Sequence, residues 1–320
     1  MPIDAEAIAD RRRLRRKLTF WRVTGVLALI AAVIALGYSA SRRFGLNATD
    51  HVARISVNGL ITGNQRMADL MERVGNAKSV SAVVISVNSP GGTTTGSEEL
   101  FRNIRRLAEK KPVVTFVDGT AASGGYITAM ATDYIVARET SIVGSIGVLF
   151  QYPDVSGLLG QVGIKVEEIK SAPLKAEPSP FKPTSPEARA ALAQVVSDTY
   201  DWFKRLVRER RHMTDAELAA VSTGQVFSGH QGIPLKLVDA VGSERDAVAW
   251  LEREKKVRPN LPIRDWKPRS DRDLSFFAWA GASADLMGFD GLAGALRRTA
   301  AGVEAAQLDG LLAVWHPSEK

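Results

Sequence analysis

Short runs of β-branched and apolar residues alternate along the chain with segments whose apolar positions recur at helical spacing. The runs at 53–61, 81–89 and 112–118 have the length and composition of buried strands. The segments at 64–77 and 96–109 carry the helical pattern. Because β–turn–α units repeat, the sequence predicts an α/β fold with a mostly parallel sheet and helices on its faces.

The alternation continues after the third strand with elements that are shorter or less regular. In chain order, the pattern predicts a small-residue helix up to about Thr132, a strand at 133–138, a helix near 154–163, a strand at 165–171, a helix from Pro186 to about Arg211, and a helix from about Ser243 to Lys255.

The stretch at 23–41 differs from these elements because its nineteen residues include no charge. A helix of this length spans ~28 Å, close to the ~30 Å hydrocarbon core of a bilayer. Trp21 and Tyr38 suit the two membrane interfaces. The sequence therefore predicts one N-terminal transmembrane helix ahead of the α/β fold.

The charges around this stretch set its orientation. Residues 11–17 hold six basic side chains and only two arginines follow the stretch directly, so we expect a single-pass anchor of the inner membrane with a cytoplasmic N-terminus. Residues 47–320 would then be periplasmic or otherwise extracytoplasmic. Ser39-Ala40-Ser41 is a poor signal-peptidase site, and Arg15-Arg16 lies inside a basic run rather than in a twin-arginine signal. We therefore expect the anchor to stay uncleaved.

The same basic segment accounts for most of the net charge. The chain has 42 Lys+Arg and 35 Asp+Glu, a net charge of +7. Residues 1–46 hold nine of the basic and three of the acidic residues, so 47–320 have a net charge of only +1. A near-neutral body disfavours nucleic-acid binding. Without cysteine the chain has no thiolate nucleophile and no Cys-ligated metal site, and we expect no cofactor and no metal ion.

Ser123 lies in Ala-Ala-Ser-Gly-Gly, where the third predicted strand gives way to a helix. Its small neighbours let another backbone approach closely, and glycine accepts the positive φ that such turns need. The amide of Gly124, at a helix start, would point toward an oxygen bound beside the serine hydroxyl, as a tetrahedral oxyanion requires. Helix–strand packing alone also produces such turns, so a purely structural role stays open.

A second glycine-rich turn, Asn88-Ser89-Pro90-Gly91-Gly92, ends the preceding strand. Loops at the carboxyl ends of neighbouring strands share one crevice in an open α/β sheet. We therefore expect Gly92 to supply a second backbone N–H to the same oxyanion, although most such glycine pairs are simply turns.

A serine nucleophile needs a base, and the histidines offer little. None of the four histidines lies in a glycine-rich strand-end loop; they are His51, His212, His230 and His316. Of these, only His230 is considered further as a candidate general base. Lys175 fits better, because it follows a predicted strand among small and apolar neighbours and burial would lower the pKa of its amine toward neutrality. A lysine in a proline-rich loop is otherwise a surface charge.

The ordered set of these motifs resembles serine peptidase family S49, in particular its short, single-domain signal peptide peptidases. The motifs are the NSPGG turn, Ser123 in AASGGY, Ser145 in VGSIGV and Lys175 in SAPLK, and the resemblance runs over about 54–243. Each motif alone is unspecific, whereas the set in this order is specific.

The resemblance implies a ClpP/crotonase-like fold and a role for each site residue. Ser123 would be the nucleophile and Lys175 the general base, with Gly92 and Gly124 as oxyanion donors. Ser145 would orient the lysine amine through its hydroxyl. The implied activity is an endopeptidase that degrades remnant signal peptides through an acyl-enzyme.

The resemblance also implies the partners and the division of the chain. Short members form homo-oligomeric rings in which serine and lysine meet across a protomer boundary. We expect cleaved signal peptides as substrates, the bilayer as the partner of 23–41, and no nucleic acid. Residues 1–46 would hold the basic segment and anchor, 47–258 the peptidase domain, and 259–320 a helical tail or oligomer contact.

Three other functions stay open. An S49 peptidase can serve membrane-protein quality control instead of signal-peptide removal. A noncatalytic membrane scaffold would keep the fold without the chemistry. An acyl-CoA hydratase or isomerase would share the fold and use a carboxylate base, for which Glu98 or Glu99 is placed after the Gly92 turn.

Overall fold

The structure is a computed structural model that describes residues 17–27, 30, 49–268 and 311–314. The chain divides into two units between Thr49 and Asp50. In the first unit, residues 17–27 are helical (α1) and exposed. Most of the predicted membrane span lies outside the described residues.

Among the residues that the structure describes, no helix is long and apolar enough to cross a bilayer.

The second unit alternates strands and helices, as the sequence predicts. Its described elements are β1 (His51–Ile61), α2 (Gln65–Asn76), β2 (Val80–Thr93), α3 (Thr94–Ala108), β3 (Val113–Ala122), α4 (Gly124–Ala129), β4 (Ile135–Ala137), β5 (Ile142–Gly144), β6 (Leu149–Phe150), α5 (Ser156–Gln161), α6 (Pro186–Arg211), α7 (Asp215–Val221), β7 (Val226–Ser228), α8 (Gly229–Gly232), β8 (Ala240–Val241), α9 (Glu244–Glu254), β9 (Ile263–Trp266) and β10 (Leu311–Val314).

In the described part of the chain, these ten strands form one sheet. Its main path is β6-β10-β2-β3-β4-β8, with β1 on β2, β9 on β1, β5 on β3 and β7 on β5. The central pairs β1–β2, β2–β3 and β3–β4 are parallel, whereas β10 is antiparallel to both β2 and β6. The α/β fold with a mostly parallel core is thereby confirmed.

The central strands are buried on both faces. Val83, Ile85 and Val87 of β2 point into one core, which α2, α3, α4 and α6 cover. The intervening Val84 points into a second core, where Trp250 of α9 packs. Side chains on alternate faces of a strand explain why these runs are apolar throughout rather than alternating.

The prediction of a strand at 165–171 is wrong. The segment is irregular, and Val166 and Ile169 are exposed. Within residues 49–268 it has no strand partner, so its alternating pattern buries no face. Strand periodicity produces a strand only where a sheet edge accepts it.

The segment 259–320, predicted as a helical tail or an oligomer contact, includes two described strands where the helical alternative does not hold. Residues 263–266 form β9, which pairs in parallel with β1. Residues 311–314 form β10, inserted between β2 and β6. The rest of the stretch from 269 onward lies outside the described residues.

Candidate active site

Ser123 lies at the junction between β3 and α4, as the N-cap of α4. Its backbone has φ +53° and ψ −114°, a conformation that costs a residue with a Cβ about 1–3 kcal/mol and persists only where the surroundings impose it. The Ser123 N–H donates to the Gly144 carbonyl at 2.8 Å, and its carbonyl accepts from Tyr126 N–H at 2.9 Å. The side chain is therefore held at a fixed position while the chain turns from strand to helix.

Ser145 lies next to this junction through the pairing of β3 with β5. Ala122 pairs with Gly144, so the two serines follow paired residues of adjacent strands. Ser145 also has a positive φ, +51°, and its N–H donates to Gln225 O at 2.8 Å. The Ser123 hydroxyl makes a long contact of 3.5 Å with the Gly147 carbonyl, a neighbour that the sequence did not indicate.

The glycines of the site are required by close backbone contacts. A Cβ on Gly92 would lie 1.8 Å from the carbonyl oxygen of Ile61, with which it pairs between β2 and β1. A Cβ on Gly125 would lie 2.5 Å from the carbonyl oxygen of Ser89. The Gly92 turn and the start of α4 are thus packed backbone to backbone, and Gly124 begins α4 with an N–H that has no partner within the helix.

Strand β10 lies on the same edge of β2 as β3, the strand that ends just before Ser123. Gly91 and Gly92 already pair with Leu60 and Ile61 of β1 on one edge. Their antiparallel pairing with Val314 and Ala313 must therefore use the other edge, which β3 occupies up to the pairing of Ser89 with Ala121. Strand β10 therefore pairs with β2 beyond the point where β3 ends and the chain enters α4.

Tyr126 anchors the first turn of α4 in the protein core. Its ring is fully buried, and its hydroxyl donates to the carbonyl of Leu237 at 2.8 Å. Burial raises the pKa of Tyr126 above its ordinary value, so the phenol remains a neutral donor. The side chain ties α4 to the segment before β8.

Lys175 occupies a different environment from the other predicted site residues. It lies in an irregular, exposed loop, and its N–H donates to Ala172 O at 3.1 Å. In the part of the chain that the structure describes, its side chain makes no hydrogen bond or ion pair. The structure brings Gly92, Ser123, Gly124 and Ser145 together, but it does not bury Lys175 against them. The burial expected for this lysine is not supplied by the described residues of its own chain.

In the described residues, none of the competing bases makes a hydrogen bond with the Ser123 hydroxyl. His51 is buried and accepts a hydrogen bond from Trp266 at 3.0 Å. His212 ends α6 in a left-handed conformation, and His230 is exposed in α8. Glu98 forms an ion pair with Arg102 of its own helix at 2.5 Å. His316 lies outside the described residues.

A serine at a strained strand-to-helix turn, next to a helix-start amide that has no partner within the helix, is a nucleophile arrangement typical of serine hydrolases. The profile of Peptidase family S49 matches residues 105–258, which include Ser123, Ser145 and Lys175. The chain belongs to this family and is by class a serine peptidase.

Three curated relatives illustrate the similarity. A putative protease of Methanocaldococcus jannaschii is 40% identical over 185 residues, which cover 58% of this chain and 60% of the relative. A putative protease of Synechocystis sp. is 34% identical over 200 residues, 62% of this chain and 72% of the relative. A putative signal peptide peptidase SppA of Enterococcus faecium is 32% identical over 220 residues, 64% of each chain. The match thus spans less than two thirds of the first and third relatives.

Proposed function

We propose that this protein is a membrane-anchored serine endopeptidase that uses Ser123 and Lys175 as a catalytic dyad. The observation that carries the proposal is the strained turn that holds Ser123 beside Gly124 and the Gly92 edge of β2. Membership of a serine peptidase family and a mixed, mostly parallel sheet agree with the proposal.

In the proposed reaction, the neutral Lys175 amine removes the proton of Ser123 Oγ as Oγ attacks the peptide carbonyl. The N–H groups of Gly92 and Gly124 stabilise the tetrahedral oxyanion. Lys175 then donates its proton to the leaving amine, and the C–N bond breaks to give the acyl-enzyme. A water molecule deprotonated by Lys175 hydrolyses the ester and restores Ser123. Ser145 orients the neutral amine through its hydroxyl.

The base comes from a second copy of the chain in this proposal. Lys175 is exposed, whereas a lysine base needs burial to stay neutral. The segment that carries it also exposes large apolar side chains that a monomer leaves in water. These side chains are Leu158, Val162, Ile164, Val166, Ile169, Leu174 and Phe181. Packing them against a neighbour in a homo-oligomeric ring would bury the lysine beside the neighbour's Ser123.

The substrate class is an extended, apolar peptide. The edge of β2 beside Gly92 accepts a strand, and the segment that occupies it is Leu-Leu-Ala-Val. Backbone pairing at a sheet edge recognises any extended chain, while apolar composition suits peptides that leave a membrane. With an anchor at 23–41 and the catalytic domain outside the cytoplasm, remnant signal peptides are the proposed substrates. Degradation of damaged membrane proteins is the second candidate, since it presents the same kind of segment.

The test uses Ser123→Ala and Lys175→Ala in the full-length protein, with Lys165→Ala as the control for an exposed lysine of the same segment. Removing the base should lower peptide hydrolysis about 10²–10⁴-fold, and removing the nucleophile should lower it at least as much, with Lys165→Ala at the wild-type rate. A fluorophosphonate should label the wild type at Ser123. Full activity of either site variant would contradict the dyad.

The two other functions give different results in these assays. A scaffold would show neither hydrolysis nor labelling. A CoA-dependent hydratase would be stabilised against heat by an acyl-CoA, and its activity would depend on Glu98 or Glu99.

A further inference from the structure

The loop that carries Lys175 is closed at its base by charged side chains. Residues 171–176 are all exposed, and two local backbone hydrogen bonds shape them, Lys175 N to Ala172 O and Glu177 N to Leu174 O. At the two ends of the loop, Lys170 Nζ and Glu177 Oε1 are 2.8 Å apart. This contact joins residues seven positions apart and fixes the distance that the loop must span.

Two further residues complete a four-charge cluster, which we call the loop clamp and define as Glu168, Lys170, Glu177 and Lys182. Lys170 also contacts Glu168 at 2.8 Å, and Lys182 contacts both Glu177 and Glu168, at 2.5 and 3.2 Å. Each carboxylate thus binds both lysines. Ser179 adds a hydrogen bond of 2.7 Å from its hydroxyl to Glu168.

The clamp is more protected than an ordinary surface ion pair. The side chain of Glu177 is 5% exposed and that of Lys170 is 15% exposed, although both flank an exposed loop. Hydrogen bonds from Lys170 and then Lys182 lower the pKa of Glu177 to about 2. Hydrogen bonds from Lys170 and then Ser179 lower the pKa of Glu168 to about 2. Networks of this kind hold geometry better than isolated exposed pairs do.

We propose that Glu177 and Lys170 are positioning residues that hold the Lys175 loop in the shape needed to present its amine to Ser123 of a neighbouring copy. The inference rests on the proposed function, because it concerns the base of that dyad. Its physical basis is that residues 171–176 lack regular secondary structure and packing, so the clamp is the contact that determines where the loop begins and ends. A displacement of about 1 Å at a catalytic base costs up to roughly 10²-fold in rate.

The experiment compares Glu177→Gln with Glu167→Gln in the full-length oligomer. Both changes remove one negative charge from the same segment, but Glu167 is exposed and lies outside the clamp. Active sites are counted by fluorophosphonate titration, and kcat per titrated site and KM are measured on an apolar peptide. We expect Glu177→Gln to lower kcat about 10- to 100-fold with KM changed less than about twofold, because in the described residues no ion pair joins the clamp to β2, the strand proposed to bind the peptide. Glu167→Gln should match the wild type.

A milder variant, Lys182→Ala, removes a half-exposed lysine of the clamp. It keeps the inference testable if Glu177→Gln does not fold. It should lower kcat a few-fold in the same direction. If Glu177→Gln and Lys182→Ala reduce the number of titrated sites but leave kcat per site unchanged, the clamp only supports folding and the inference is overturned. Failure of Lys175→Ala to affect activity would instead refute the proposed dyad, whatever the clamp variants do.

Discussion

The two halves of the proposed dyad are held by different forces. Ser123 is 1% exposed and fixed by backbone hydrogen bonds, glycine contacts and a neighbouring strand. Lys175 is exposed in a loop whose base is closed by ion pairs between side chains. The surroundings of the proposed nucleophile are therefore supplied by its own chain, whereas the proposed base lies exposed to solvent.

This difference indicates which half depends on assembly. A backbone-enforced turn cannot relax without unfolding the sheet around it, so the strain at Ser123 is stable in a single chain. A loop held by charges keeps its shape but buries nothing, so it leaves the Lys175 amine in water. In the proposed function, burial of the amine is supplied by a second copy.

The largest expected effect is that of Gly92→Ala, which tests whether backbone contacts hold the surroundings of Ser123. A Cβ at this position meets the Ile61 carbonyl at 1.8 Å, and backbone cannot move aside as a side chain can. We expect a loss of about 3 kcal/mol or more in unfolding free energy, with loss of activity. Gly160→Ala is the matched control, since nothing lies within 4 Å of its Cβ. Equal thermal midpoints for the two variants would contradict the backbone half of the comparison.

Tyr126→Phe tests the support beneath Ser123 more gently. It removes the 2.8 Å hydrogen bond to Leu237 O and leaves a buried carbonyl without that donor. We expect a loss of about 1–2 kcal/mol in denaturant unfolding, while fluorophosphonate labelling of the folded protein persists. Phe203→Leu, a change in the same buried core without a polar group, serves as the control for packing alone. Unchanged stability of Tyr126→Phe would show that this bond does not brace the nucleophile.

A truncation of the chain tests whether β10 occupies the edge of β2 that the substrate would use. A chain ending at residue 310 lacks β10, whereas one ending at 314 retains it. Because β10 occupies the edge beside Gly92, its removal should lower KM for an apolar peptide about two- to fivefold. The chain ending at 314 should behave as the full-length protein. Equal KM values for both truncations would show that β10 does not compete with substrate.

The smallest expected effect is in the titration of the clamp. The pKa of Glu177 is lowered from an ordinary value of 4.5 to about 2, so the stabilisation from its ion pairs is complete above pH 4.5 and is lost as pH falls through 2. Carboxyl ¹³C NMR of labelled glutamate should give this low midpoint for Glu177 and a higher one in Lys182→Ala. A midpoint near 4.5 in the wild type would show that the clamp is open in solution.

The sequence predicted the framework well because the framework follows local patterns. The β-branched runs of β2 and β3 are buried on both faces and needed no partner information. The wrong strand at 165–171 has the same local pattern, but no sheet edge receives it. The three-residue strands β5 and β7 were missed because their pairing comes from the turns around them rather than from periodicity.

The candidate site was predictable in part for the same reason. The small residues around Ser123 predicted a close approach of another backbone, and Gly125 makes that contact with Ser89. The loop clamp was not predictable, because Glu168, Lys170 and Lys182 read as ordinary surface charges and become a cluster only in three dimensions. For Lys175 the sequence left two interpretations open, a buried base or a surface charge, since a lysine among apolar neighbours is buried only if another surface covers it; the described residues leave it exposed.

The most direct test of the account mixes two inactive variants. Ser123→Ala and Lys175→Ala are unfolded, combined in equal amounts and reassembled, and peptide hydrolysis is compared with each variant alone. If Ser123 of one copy uses Lys175 of the next, random assembly should restore activity at about a quarter of the sites. Mixed oligomers that remain as inactive as the separate variants would contradict a dyad shared between chains.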